Sequence, residues 1–150
     1  MTNFVKPFRY VMQIALSVTF MLGIGNCLAA EGQQNELPQV IIETSEGAIE
    51  VTLRPDIAPE TVENFITYAK NGFYEGTLFH RVIPGFMIQG GGFDQDLNQK
   101  QTRSPIRNEA RPTAKNLRGT IAMARTSSPD SATSQFFINL TDNDFLNAGV

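Results

Sequence analysis

Apolar and polar residues alternate from Val40 to Leu53, and this period of two predicts a hairpin. VIIET leads into a turn at Ser45-Glu46-Gly47, and AIEVTL returns with Ile49, Val51 and Leu53 on one face. Arg54-Pro55-Asp56 ends the second strand. From Pro59 the period changes. Val62, Phe65, Ile66 and Ala69 fall at i, i+3, i+4 and i+7, which predicts a helix over Pro59 to Lys70 with a single core-facing stripe. Pro59 suits the first helical position, Glu60 and Glu63 suit the positive end, and Lys70 suits the other. Asn71-Gly72 supplies the stop. Leu78 to Gln89 predicts strand, loop, strand. Gly119 to Ala124 and Gln135 to Leu140 predict two more strands, joined by the turn-rich Arg125 to Thr133. Between them Phe93 to Pro112 is polar and predicts a long surface excursion; loops of that length tend to be functional or mobile. There is no internal repeat. Many short strands with one good helix fit a mainly β fold, a small barrel or sandwich capped by helix.

The first thirty residues follow another pattern. Lys6 and Arg9 precede the apolar run Tyr10 to Ile24, and the small residues of Cys27-Leu28-Ala29-Ala30 follow it. This predicts a secretory signal peptide over residues 1–30, cut after Ala29 or Ala30. An uncleaved membrane anchor is the rival, but the run is short of the roughly 20 residues that span a bilayer. A lipoprotein site at Cys27 is disfavoured by Asn26, which stands where a small residue is expected. Residues 31–38, beginning EGQQNELP, read as a polar tether, and 39–150 as one domain.

Composition sharpens this picture. A hydrophobic content of 41%, with eleven Phe, suits a packed core. The net charge is −3, and it becomes −5 once Lys6 and Arg9 are removed with the leader. That argues against a general nucleic-acid binder, which needs a basic patch. Cleavage would also remove the only cysteine, Cys27, so the exported domain would be held by its core without disulfides.

Phe79 to Gly92, FHRVIPGFMIQGGG, breaks the expected pattern. Arg81 and Gln89 sit in an apolar strand beside Phe86 and Met87. A lone arginine there usually snorkels or pairs with an acid, and Phe86 and Met87 alone would be core. Phe136 and Phe137 are adjacent, so on a strand they face opposite sides, one core and one free for other work. His80 is the only histidine. It has no carboxylate or serine at a telling spacing and reads as structural. Gly90, Gly91 and Gly92 lack the Lys-Ser/Thr and following helix of a phosphate loop, so they read as close backbone approach or a tight bend.

The string FHR, three residues, GFM-x-Q-G-G, followed by SQFFI at Ser134 to Ile138, resembles the substrate face of the cyclophilin-type peptidyl-prolyl cis–trans isomerases. The resemblance runs from about Val40 to Val150. It implies a cyclophilin-like closed β-barrel capped by helices. Residue by residue it implies Arg81 as the catalytic arginine. Phe86, Met87, Phe137 and Leu146 would form the proline pocket, and Gln89 and Gln135 would hold the substrate backbone. Ala124 and Arg125 would meet substrate through their main chain, with Arg125 where the family has asparagine. Phe145 stands where many members carry tryptophan, which implies weak binding of cyclosporin-type ligands.

The implied activity needs no cofactor or metal. Rotation about a peptide bond is opposed by about 18–20 kcal/mol because the nitrogen lone pair is delocalised into the carbonyl. A donor aimed at the prolyl nitrogen, whose lone pair is freed only when the bond twists, and an apolar seat for the ring together favour the transition state. Proline-containing polypeptides are the implied partners and the periplasm the implied compartment. The family continues past DFL with further strands and a second helix, whereas this sequence stops at Val150, near a position where members often carry a pocket histidine. Rival expectations are therefore a proline-peptide binding or holdase module without useful catalysis, a fragment that does not fold stably, or a small barrel for an apolar ligand.

Overall fold

The computed structural model describes residues 37–149. The signal-like segment over residues 1–30, most of the tether and Val150 lie outside the described residues. Two antiparallel strands open the fold: β1 (Gln39–Thr44) and β2 (Gly47–Thr52). They pair in the register Val40 with Val51 and Ile42 with Ile49, as alternation predicts. Val40 and Ile42 are buried, while the intervening positions are more exposed.

Helix α1 (Pro59–Lys70) follows with the predicted bounds and Pro59 in its first turn. Its buried stripe is wider than periodicity indicates. Asn64 and Tyr68 are buried together with Val62, Phe65 and Ala69. Each polar tip finds a partner in a distant loop: Asn64 Nδ2 donates to Thr133 O at 2.7 Å, and Tyr68 OH accepts from Arg103 N at 2.8 Å. Burial of these groups is therefore tolerated, because the hydrogen bonds replace those made with water.

The other strands are short. They are β3 (Arg81–Ile83), β4 (Met87–Gly90), β5 (Ile121–Met123) and β6 (Phe136–Asn139), ordered β3-β4-β6-β5 in one antiparallel sheet. Leu78 to His80 are not part of β3; Leu78 N instead donates to Phe93 O at 3.0 Å. The β3–β4 turn is closed by Phe86 N donating to Ile83 O at 3.1 Å, with Gly85 at a φ of 71°. A 3-10 turn, η1 (Asp144–Leu146), comes last.

The core lies between the two sheets and α1. It joins Val40, Ile42 and Leu53 to Phe65, Tyr68 and Ala69 of the helix and to Tyr74 and Phe136. Phe136 meets Phe65, Tyr74 and Phe79 edge-on, with ring centroids 5.5, 5.6 and 5.9 Å apart. Edge-to-face pairs of this kind add to plain area burial. The polar excursion after Phe93 is pinned at intervals. Lys100 N donates to Gly92 O at 2.9 Å, Ile106 bridges to Ala132, and Asn108 N donates to Asp130 Oδ1 at 2.8 Å. Among the described residues no helix is long and apolar enough to cross a membrane.

Candidate active site

Register decides which side chains share a face of the four-stranded sheet. Arg81 lies opposite Gln89, Gln89 opposite Phe137, and Phe137 opposite Ala122, so one row of side chains crosses all four strands. Met87 and Asn139 form a second pair on the same face, two residues along. The alternate face carries Ile88, Ile138 and Ile121 in one row and Phe136 and Met123 in another. Phe136 is thereby a core residue, and its neighbour Phe137 is half-buried on the Arg81 face.

The polar members of this face are joined in a chain. Arg81 Nη1 donates to Gln89 Oε1 at 3.4 Å, and Gln89 Nε2 donates to Gln135 Oε1 at 2.8 Å. Gln135 is held through its backbone as well, since Ala124 N donates to Gln135 O at 2.9 Å and extends the β5–β6 ladder by one step. Of Ala124's main-chain groups the N–H is thus taken by the fold. Arg125 is exposed, and its Nη1 donates to Thr126 O at 2.9 Å, so its guanidinium turns back on its own loop.

The apolar candidates surround this row unequally. Phe86 stacks with Phe145 at 5.5 Å between centroids and 32° between planes. Phe145 is 65% exposed and Leu146 37%, whereas Met87 is 2% exposed. Of the four pocket candidates Met87 alone is closed to solvent. It backs the site, while Phe86, Phe137 and Leu146 offer surface. The arrangement is an exposed guanidinium and two amides beside partly open aromatic and aliphatic groups. It can offer donors to a peptide and an apolar seat to a ring, and no proton need change hands.

His80 immediately precedes β3, with its ring 4.5 Å from that of Phe93. Burial, aided by the charge of Arg81, holds its pKa below the ordinary histidine value, which favours the neutral imidazole at pH 7. Among the described residues no group of three or more His, Cys, Asp or Glu could hold a metal ion.

Four asparagines that sequence reasoning missed support the Phe86 end. Asn143 Nδ2 donates to Phe86 O at 3.0 Å and to Asn139 Oδ1 at 2.7 Å. Asn139 Nδ2 donates to Thr120 Oγ1 at 2.9 Å and to Asn116 Oδ1 at 3.3 Å. Asn116 N in turn donates to Asn147 Oδ1 at 2.7 Å. Asn139 and Asn143 are 1% and 2% exposed. This buried latch ties η1, with Phe145 and Leu146, to β6 and to the backbone that carries Phe86. One signal was available: Asn139 interrupts an apolar strand just as Arg81 and Gln89 do.

Comparison with known proteins defines the class. Residues 39–150 match the family model of the cyclophilin type peptidyl-prolyl cis-trans isomerase/CLD. The chain is 60% identical over 110 residues to peptidyl-prolyl cis-trans isomerase A of Dickeya dadantii, a match covering 73% of this chain and 58% of that protein. It is 59% identical over 108 residues to peptidyl-prolyl cis-trans isomerase B of Escherichia coli, covering 72% of this chain and 66% of that one. The fold is also similar to a solved cyclophilin-type isomerase of Cryptosporidium parvum, determined in the presence of the dipeptide Ala-Pro. There the TM-score is 0.66 and the identity 32%, with 73% of this chain and 72% of that chain covered. The protein belongs to the cyclophilin family, and its described residues form a mainly β cyclophilin fold. The matched stretch spans less than two thirds of either bacterial relative's length.

Proposed function

We propose that this chain accelerates cis–trans isomerisation of X–Pro peptide bonds in folding polypeptides. The observation that carries the proposal is the row Arg81–Gln89–Phe137, which sets a permanently charged donor and an aromatic surface on one sheet face. In this reading the proline ring rests on Phe137, Phe86 and Leu146, backed by Met87. Gln89 and Gln135 hold the peptide, and main-chain groups of Ala124 and Arg125, the Ala124 N–H excepted, complete the seat. Arg81 is the catalytic group. Its guanidinium presents a rigid fork of N–H groups. In the planar ground state the prolyl nitrogen has no lone pair to offer; in the twisted state it does. A donor placed there binds the transition state more tightly than the substrate. The names of the bacterial relatives and the Ala-Pro dipeptide of the Cryptosporidium protein support this reading.

The leader-like residues 1–30 support export to the periplasm, with envelope polypeptides as clients and the six strands part of the family's barrel. Phe145 in place of tryptophan favours weak binding of cyclosporin-type ligands.

Exchange spectroscopy on an Ala-Pro peptide tests the activity. The wild-type chain is expected to broaden or exchange the cis and trans resonances at catalytic concentration. Arg81→Ala is expected to lose about 100-fold in kcat/KM, the usual scale for removing one preorganised donor. Undiminished activity in Arg81→Ala would sink the assigned role. Peptide binding without rate enhancement in the wild type would replace catalysis by a holdase function.

A further inference from the structure

We infer that Gly92 is a positioning residue for the site, and that it acts by leaving space for the side chain of Gln135. The inference rests on the isomerase reading and deepens it. A Cβ built on Gly92 would lie 2.4 Å from Gln135 Cγ, 2.7 Å from Cδ and 2.8 Å from Nε2. The amide that passes over Gly92 is the one whose Oε1 accepts from Gln89 Nε2 at 2.8 Å, and Gln89 Oε1 accepts from Arg81 Nη1 at 3.4 Å. The absence of a side chain at residue 92 thus opens a chain of contacts that ends at the proposed catalytic guanidinium.

The neighbouring glycine shows why this differs from ordinary packing. Gly91 has a φ of 78°, and its Cβ would meet the rings of Phe136 and Tyr74 at 2.8 to 2.9 Å. A side chain there strains the backbone and collides with the core, so Gly91 is needed for folding. Gly92 lies outside the left-handed region, so its backbone suits any residue. The three nearest atoms its Cβ would meet all belong to Gln135. The backbone cannot step aside, because Gly92 O accepts from Lys100 N at 2.9 Å and Phe93 bridges to Gln99. Gln135 must therefore swing out, and its bond to Gln89 is lost. Gln89, released, no longer steadies Arg81.

The test is a double-mutant cycle on the full chain with Gly92→Ala, Gln135→Ala and both together. Three readouts are used: kcat/KM on the Ala-Pro peptide, the side-chain amide resonances of Gln89, and the thermal midpoint. Gly92→Ala is expected to lower kcat/KM by about 3- to 10-fold, the worth of one net hydrogen bond, and Gln135→Ala by at least as much, because it also removes a side chain that holds the peptide. The double change should lower it no further than Gln135→Ala alone, since Gly92→Ala acts only through the Gln135 side chain. The Gln89 amide resonances should move alike in both single variants, with the Gly92→Ala midpoint close to wild type. Additive losses, full activity in Gly92→Ala, or a Gly92→Ala chain that fails to fold would each overturn the inference. If the wild-type chain shows no activity, the isomerase reading falls. The Gln89 resonances then still decide: a shift in Gly92→Ala upholds the link to Gln135, and an unmoved resonance removes it.

Discussion

Asn143 shows how one buried amide can serve both packing and site. Its Nδ2 donates to Phe86 O and to Asn139 Oδ1, and its N–H donates to Asn116 O at 2.8 Å. Truncation to alanine removes the two side-chain bonds. Phe86 O keeps a partner, because Leu140 N also donates to it at 2.9 Å. Asn139 Oδ1 loses its Asn143 donor. Leaving a buried acceptor without a partner costs about 1–3 kcal/mol, so Asn143→Ala should lower the free energy of unfolding by that amount, read as a lower urea midpoint at unchanged slope. It should also raise KM for a proline peptide, because η1 no longer holds Phe145 against Phe86. An unchanged KM in a destabilised Asn143→Ala chain would confine the latch to stability. Arg81, Phe86 and Gln89 could be picked from the sequence because one motif places them within a few residues, and Phe137 because a second motif, SQFFI, carries it. Asn143 could not, because its partner Phe86 lies 57 residues away.

The elements themselves were largely legible. Helix α1 follows from its period and its Pro59 start, and β1 and β2 from strict alternation. What was not legible is how α1 is capped. Ala58 at its N-cap makes no side-chain cap. Glu109, from the polar excursion, supplies one. Its carboxylate accepts from Thr61 N and Thr61 Oγ1, both at 2.8 Å, and from Glu60 N at 3.3 Å. Burial by itself would raise the Glu109 pKa, but the Thr61 and Glu60 hydrogen bonds and the charge of Arg111 outweigh it and hold it below the ordinary value. A depressed carboxylate stabilises fully above its unfolded pKa, and the gain is lost as pH falls through the folded pKa. Glu109→Ala should therefore cost about 1 kcal/mol at pH 7, as for other lost caps. The gap to wild type should begin to close as pH falls through the reference carboxylate value of the unfolded chain, and be gone once pH has passed below the lowered folded value. Denaturant titrations at several pH values read this directly; a gap independent of pH would show that the charge of Glu109 plays no part.

At the scale of the whole molecule, the two sheets depend on a single aromatic cluster. Phe136 reaches Phe65 of α1, Tyr74 and Phe79, and Tyr74 OH donates to Ser134 O at 2.9 Å just before β6. Val40 and Ile42 bring β1 into the same core. The face of β6 that supports Phe136 also fixes Phe137 on the other side, so core and site share one strand. Phe136→Ala should therefore cost about 3–5 kcal/mol, against total stabilities of about 5–15 kcal/mol for single domains. The chain has no tryptophan, and of its three tyrosines Tyr68 and Tyr74 are buried in this cluster while Tyr10 lies in the leader-like residues 1–30, so tyrosine emission from the chain without those residues reports on the core. If the cluster makes one cooperative unit, tyrosine emission and far-ultraviolet circular dichroism should give coincident urea transitions in both wild type and Phe136→Ala, the latter at lower urea. Isomerase activity should vanish along the same curve. Activity or strand signal that outlasts the tyrosine transition would mean that the Arg81 sheet stands without the helix-side core, contrary to the packing through Phe136.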